Sequence, residues 1–205
     1  MATAVAAEFN YRRGDIVMIP FNLTTGVFNE DSLIAFYDRL KQEDLWDIVF
    51  HENPGMSMRE FLNFFSVPSN LLYVFTIAEG DEMVDVAGLA WLADIISCQG
   101  IWTRALGSFV FFRKYQSPQY TDECCKIILD FWFNFLGVNM IVGATPEENR
   151  LALLYIKRAG FREVARIPSY TTLRGKIMDG VITTMTKQQY LSTITVGGNN
   201  GQGSG

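Results

Sequence analysis

The residues with the clearest chemical potential stand where one strand hands over to one helix. Arg113-Lys114-Tyr115-Gln116-Ser117-Pro118 leads into a helix that Ser117 or Thr121 caps. A helix start of this kind offers free backbone amides and the positive end of a dipole to an anion. Arg113 and Lys114 add charge of the right sign, Asp122 and Glu123 oppose it, and Pro118 removes one amide donor. Cys124 and Cys125 fall in the same helix start, where a thiol can be acidified; small buried filling is the commoner role. His51, the sole histidine, precedes Glu52 in a loop ahead of Asn53-Pro54, and no Ser or Cys partner can be assigned to it from sequence. Cys98 completes the cysteine set, without CxxC pairs or a His-rich segment, so a zinc site is not expected. Neither GxGxxG nor a Walker loop is present.

The elements that would position these residues can be read from periodicity. Residues 15–21 form a first strand ended near Pro20. Asn29 or Asp31 caps a helix running to about Gln42, with Leu33, Phe36, Tyr37 and Leu40 on one face. An aromatic-rich segment at 45–66 is broken at Asn53-Pro54-Gly55 and ends in a short second helix over 58–65, its aromatics serving as core, pocket lid or docking patch. Residues 71–78 and 83–94 are strands joined by the turn Glu79-Gly80-Asp81-Glu82. A fourth strand spans 105–112. The helix that follows buries Ile128, Phe131, Trp132 and Phe135 and stops at Gly137.

Residues 138–143 are too short and too apolar for a helix and read as a buried strand. Thr145-Pro146-Glu147-Glu148 then predicts a capping box, followed by a helix with Leu151, Ala152, Tyr155, Ile156 and Ala159 on its apolar face and Gly160 as its stop. Phe161 opens another strand, and residues 171–185 form a last strand or hairpin. Residues 1–12 are expected to be a flexible arm, 13–190 the folded domain, and 191–205 a flexible glycine-rich tail.

Composition bounds the function. Half the residues are apolar and sixteen are Phe, which excludes a disordered chain and favours one mixed α/β domain. The net charge of −5 without a basic block argues against nucleic acid, because phosphate contacts need clustered Lys and Arg. An acidic chain can instead attract a cationic substrate or a basic protein terminus. The N-terminal charges follow the apolar residues, the wrong order for a signal peptide, and the most apolar stretch, 127–142, is interrupted by Asp130, Asn134, Gly137 and Asn139. The expected setting is reduced and cytoplasmic, with no membrane partner.

The run ATPEENRLALLYIKRAGF, followed by REVARIPSY and by RGKIMD leading into VITTM, resembles the GNAT superfamily of N-acetyltransferases, and most closely the branch that acetylates ribosomal-protein N-termini. The spacing from Asn149 to Gly160 matches that pattern without a gap. The resemblance implies a central, mostly antiparallel mixed sheet flanked by helices, in the order β-α-α-β-β-β-α-β-α-β-β. It also implies direct transfer of an acetyl group from acetyl-CoA to a primary amine, such as a protein N-terminus.

By the same resemblance, backbone at Phe111, Phe112 and Arg113 meets the pantetheine arm. Gln116, Gln119, Tyr120 and Thr121 surround the pyrophosphate, and Asn149 bonds the pantetheine. Gln119 and Thr121 stand where the pattern has small residues that let phosphate approach. The family's thiolate-protonating Tyr position holds Ile156, so Tyr155, turned about 100° round the helix, is the candidate acid. Asp94, ending its strand, is the candidate base, with Glu79, Glu82, Asp85 and Asp179 as further carboxylates. Departures concentrated at functional positions also admit a non-catalytic scaffold, a pseudoenzyme used for binding or assembly with a protein partner, in a viral or particle-associated setting.

Overall fold

A computed structural model describes residues 11–21 and 27–198, with side chains described to residue 193. The expected arm therefore lies outside the described residues except for Tyr11 and Arg12, and so does the tail beyond residue 198. Eight strands form one sheet. They are β1 (Tyr11–Arg13), β2 (Ile16–Pro20), β3 (Leu71–Glu79), β4 (Glu82–Cys98), β5 (Ile101–Phe111), β6 (Met140–Pro146), β7 (Arg162–Leu173) and β8 (Lys176–Thr186), in the spatial order β1-β2-β3-β4-β5-β6-β8-β7. Every neighbouring pair is antiparallel except β5 with β6. This is the mixed, mostly antiparallel sheet flanked by helices that the sequence implied.

Helices cover both faces. On one side lie α1 (Glu30–Gln42), α2 (Trp46–Val49) and α3 (Met58–Ser66), whose aromatics Trp46, Phe50, Phe61 and Phe65 pack around Trp91 of β4. Phe50 stacks on Trp91 at 5.6 Å between ring centroids. On the other side α4 (Pro118–Asp130) continues into a π-turn (Phe131–Phe135), and Phe131 and Trp132 meet Tyr73 of β3. The strand register explains this division. Leu72 pairs with Trp91 and Tyr73 with Ala90, so Trp91 and Tyr73 point to opposite faces. Most of the aromatic segment is thus core.

Several boundaries differ from the sequence reading for identifiable reasons. Thr145 and Pro146 do not cap a helix; they extend β6, paired with Val181 and Gly180 of β8. The ladder takes those residues, and α5 (Arg150–Arg158) starts later with Asn149 as N-cap, its Oδ1 accepting from the Ala152 amide at 3.3 Å. Leu151, expected on the buried face, is 65% exposed, because α5 stands at the mouth of a cleft. The π-turn changes the phase of the preceding helix, so Phe133 is buried and Phe135 is 43% exposed, stacked on Phe131. Regular structure continues past Tyr190 in α6 (Lys187–Gly198). Tyr190 fastens that helix by stacking on Phe133 and donating to Asp130.

One polar cluster ties α1 to the sheet beside the β5–α4 junction. The Asp85 carboxylate accepts from Tyr115 Oη at 2.7 Å, Arg39 at 3.1 Å, Lys114 at 3.2 Å and the Val86 amide at 2.8 Å. Burial alone would raise its pKa, but these four donors together hold it at about 2. Arg39 also lies over the Phe112 ring at 3.8 Å. A folded pKa below the unfolded value gives stability that is present above about pH 4 and lost as pH falls towards 2. Asp85→Asn should therefore lower stability at pH 7 by about 1–2 kcal/mol. In denaturant titrations the gap to the parent protein should close between pH 4 and pH 2; a gap independent of pH would show that the charge is not what matters.

Candidate functional site

The site begins where the sheet comes apart. Parallel pairing of β5 with β6 covers only Ala105 with Ile141 and Leu106 with Val142. A Cβ on Gly107 would sit 2.6 Å from Ile141 Cγ2, so this near-contact needs glycine. Beyond it the strands separate. Just past β5, the Phe112 amide donates to the Ala87 carbonyl of β4, so the alternation of strand edges turns the backbone groups of Phe109 and Phe111 towards the gap. The Phe111 carbonyl there accepts from Gln116 Nε2 at 2.9 Å.

A cavity of about 440 Å³ fills this gap. Its walls are β5 from Gly107 to Phe111, β6 from Gly143 to Pro146, α5, and the cover formed by Leu45, Ile48, Val49 and His51. Arg113, Arg158 and Arg174 line it, and among the described residues no carboxylate does. In a chain of net charge −5 that is a marked local reversal. The acidic residues near the start of α4 are also occupied: Asp122 pairs with Arg158, and Glu123 with Arg13 and Lys126. They do not oppose an anion as the bare sequence suggested.

Of the residues singled out for a cofactor, Phe111, Arg113, Gln116, Thr121 and Asn149 line the cavity, whereas Phe112, Gln119 and Tyr120 do not. Phe112 is fully buried beneath Arg39. Tyr120 packs edge-on against Tyr115, and the Gln119 side chain is exposed. Thr121 turns its hydroxyl back to the Ser117 carbonyl at 3.0 Å, which also receives the Tyr120 and Thr121 amides. Pro118 has no amide to give, which leaves that of Gln119, at the second helical position, without a partner inside its own helix. The Arg113 amide donates to the Glu43 carboxylate at 2.5 Å.

Tyr155 lies against Phe109 and Phe111. Its hydroxyl donates to the Thr121 carbonyl and sits 2.9 Å from Cys125 Sγ. Burial pushes its pKa far up, so it stays protonated. Burial also raises both thiols, Cys125 to about 12, which removes the acidified-thiol chemistry. Among the described residues no cluster of His, Cys, Asp or Glu is arranged for a metal, and no helix is long and apolar enough to cross a membrane.

A second cavity of similar size opens on the far side of His51, lined by Glu52, Ser169, Tyr170, Thr171, Thr172 and Ile177. A bulge in β7 between Ile167 and Thr171, with Ser169 at φ 54°, swings Tyr170 over Gly180, where a Cβ would meet the ring at 2.4 Å. Burial raises the Tyr170 pKa, and the Glu52 and Asp94 carboxylates add to it, which places both acids beside that ring. Asp94 is exposed in a β4 bulge at φ 47°. The structure thus brings Asp94 to Tyr170 and Tyr155 to the first cavity. His51, Glu52, Arg158 and Arg174 were not singled out for these positions. Tyr170, Arg158 and Arg174 fall in the runs that carry the family resemblance, but no sequence pattern assigned them a role here, because these residues meet only through tertiary packing.

No family model matches the sequence, and none of the curated proteins matches it. Solved structures do share its fold. The spermidine N-acetyltransferase of Vibrio cholerae in complex with CoA and spermine superposes with a TM-score of 0.70 at 15% identity, over 87% of this chain and 99% of that one. Mutant forms of the spermidine/spermine N-acetyltransferase from the same organism give 0.69 at 15% identity, over 89% and 99%. A dodecameric structure of the Vibrio cholerae enzyme gives 0.67 at 16% identity, over 88% and 99%. The chain has the GNAT fold.

The Tyr155 hydroxyl links α5 to the first turn of α4. Tyr155→Phe should cost about 1–2 kcal/mol of stability and lower the melting temperature by a few degrees. A melting temperature equal to that of the parent protein would show that this link carries no stability.

Proposed function

We propose that the protein is a CoA-dependent N-acyltransferase that transfers an acetyl group directly to a small cationic primary amine. The division of charge between the two cavities carries this reading. Three arginines and no carboxylate line the first, while Glu52 and, beside Tyr170, Asp94 serve the second. A polyanionic acyl carrier suits the first environment and an amine the second. The fold neighbours handle CoA and polyamines by their descriptions, and that agreement supports a polyamine-like acceptor.

Acetyl-CoA, as a substrate, supplies an activated thioester. The chain's part is to hold and orient it. The free edge of β5 at Phe109 and Phe111 offers backbone groups to the pantetheine arm. Arg113, Arg174 and the Gln119 amide offer charge and a donor to the phosphates. Phe112 and Tyr120 act from behind, as packing for that wall. Asn149 sets the start of α5, and its Oδ1 is committed to that cap. We assign Tyr155 to holding α5 against α4 and Asp94 to attracting the amine; both assignments replace acid and base roles with ones their neighbours support.

A protein N-terminus of the kind the ribosomal branch modifies is the alternative acceptor, and an exposed Tyr170 beside two acids does not discriminate against it. The scaffold reading draws on Pro118 and on the Arg113 amide being bonded to Glu43. One experiment separates these. Acetyl-CoA at a hundred times its dissociation constant should stabilise the protein by about 2.7 kcal/mol in thermal melting. Arg113→Ala with Arg174→Ala should weaken binding at least tenfold and flatten its salt dependence. Thiol release with spermidine, but not with a free-N-terminal peptide, is the expected activity. No melting shift at millimolar cofactor would end the transferase reading and leave the scaffold.

A further inference from the structure

Among the described residues His51 alone lines both cavities. It is buried, at 9% exposure, and held at two points. Its Nδ1 lies 2.6 Å from Thr171 Oγ1 on β7. Its own backbone carbonyl accepts from Thr172 Oγ1 at 2.8 Å. In the neutral tautomer that carries the ring proton on Nε2, Nδ1 is the acceptor and the Thr171 hydroxyl donates to it. Thr171, itself buried, lines the second cavity.

We propose that Thr171 and His51 form the relay that removes the proton from the acceptor amine during transfer. The inference rests on the acyltransferase reading above. A primary amine, entering by the second cavity and leaving its ammonium proton to solvent, would reach the thioester carbon in the first beside His51, where the two linings meet. As the amine nitrogen bonds to the thioester carbonyl carbon it becomes strongly acidic. Its proton passes to Thr171 Oγ1 while the Thr171 hydroxyl proton moves to His51 Nδ1. The carbon–sulfur bond breaks with its electron pair on sulfur, and the thiolate takes a proton from solvent. The imidazolium gives its Nδ1 proton back through Thr171 to solvent in the second cavity. The products are an amide and a free thiol, and His51 and Thr171 return to their starting state.

The surroundings suit a group that starts neutral. Burial lowers the His51 pKa from its ordinary 6.5, with Glu52 partly opposing. The other charged or titratable groups facing this region are Tyr170 on β7, Asp94 of β4 beside it, and Arg174 at the end of β7. A weak base is adequate because the nitrogen is acidic only once the new bond has begun to form.

The test uses the untagged full chain, whose single histidine gives a single set of imidazole NMR signals. The expected state is the neutral tautomer protonated on Nε2, titrating below pH 6.5. Its resonances should move when CoA is added alone and when spermidine is added alone. In steady-state assays of thiol release, His51→Gln should lower kcat about 100-fold and abolish the acid limb of the pH profile, with the CoA melting shift retained. Thr171→Val should reproduce that loss and Thr171→Ser should restore most of the rate; this pair also serves if His51→Gln does not fold. Wild-type turnover with both His51→Gln and Thr171→Val within threefold of it, or imidazole signals that neither ligand moves, would overturn the relay and leave the acyltransferase reading intact. A wild-type chain that binds CoA without turning over any amine would overturn both.

Discussion

The structure depends on a parallel pairing that stops after two residues. Ala105 and Leu106 meet Ile141 and Val142, and then β5 and β6 part. Every other junction in the sheet is antiparallel, and β6 with β8 pairs along its whole length. The opening is therefore a local event in an otherwise continuous sheet. Ile141 Cγ2 and the Trp132 ring crowd Gly107 at the branch point, leaving no room for a side chain on the last residue before the gap. Tight packing at the fork and open space beyond it have one cause. Strands whose edges are left unpaired in a protein interior must find other partners for their backbone groups, and an extended ligand is one.

That opening would be unstable without a cover, and the cover is fastened by polar contacts as well as by aromatic packing. Trp46 and Phe50 bury α2 on Trp91, a non-directional attraction that leaves its position along the sheet loosely set. Directional bonds set it: His51 Nδ1 to the Thr171 hydroxyl, the Thr172 hydroxyl to the His51 carbonyl, and Trp46 Nε1 to the Pro54 carbonyl at 2.9 Å. His51 thereby closes one end of the first cavity and forms a wall of the second. Its place at the edge of both cavities is the position that the proposed proton relay requires.

The sequence was most legible where local rules and tertiary contacts agree. The α1 cap at Asn29 and the turn at Gly80–Asp81 follow from residue type alone. The α5 start was misplaced because Thr145-Pro146-Glu147-Glu148 satisfies a capping box, while an eight-stranded sheet offers Thr145 and Pro146 a ladder, and the ladder wins. Turning from fold to site, the resemblance marked Gln116, Thr121 and Asn149, all of which line the cleft. It did not mark Arg158 or Arg174, whose charges reach the cavity from a helix end and a hairpin turn. Nothing periodic distinguishes an arginine on such a segment from a solvated one. His51 was equally opaque, since its partners lie 120 and 121 residues away along the chain.

The charge layout sharpens what the overall acidity means. A net charge of −5 spread evenly would repel a polyanion and draw an amine everywhere. Instead the acids nearest the first cavity are spent on cations: Asp122 on Arg158, Asp85 on Arg39 and Lys114, and Glu43 on Arg39 and the Arg113 amide. Exposed pairs such as Asp122 with Arg158 add little stability individually, so their arrangement is better understood through the field they leave behind. Within the first cavity that field is set by arginine; across the His51 wall it is set by Glu52 and Asp94 beside Tyr170. In the proposed transfer, two ligands of opposite charge would then reach His51 by its two cavities, each drawn to its own.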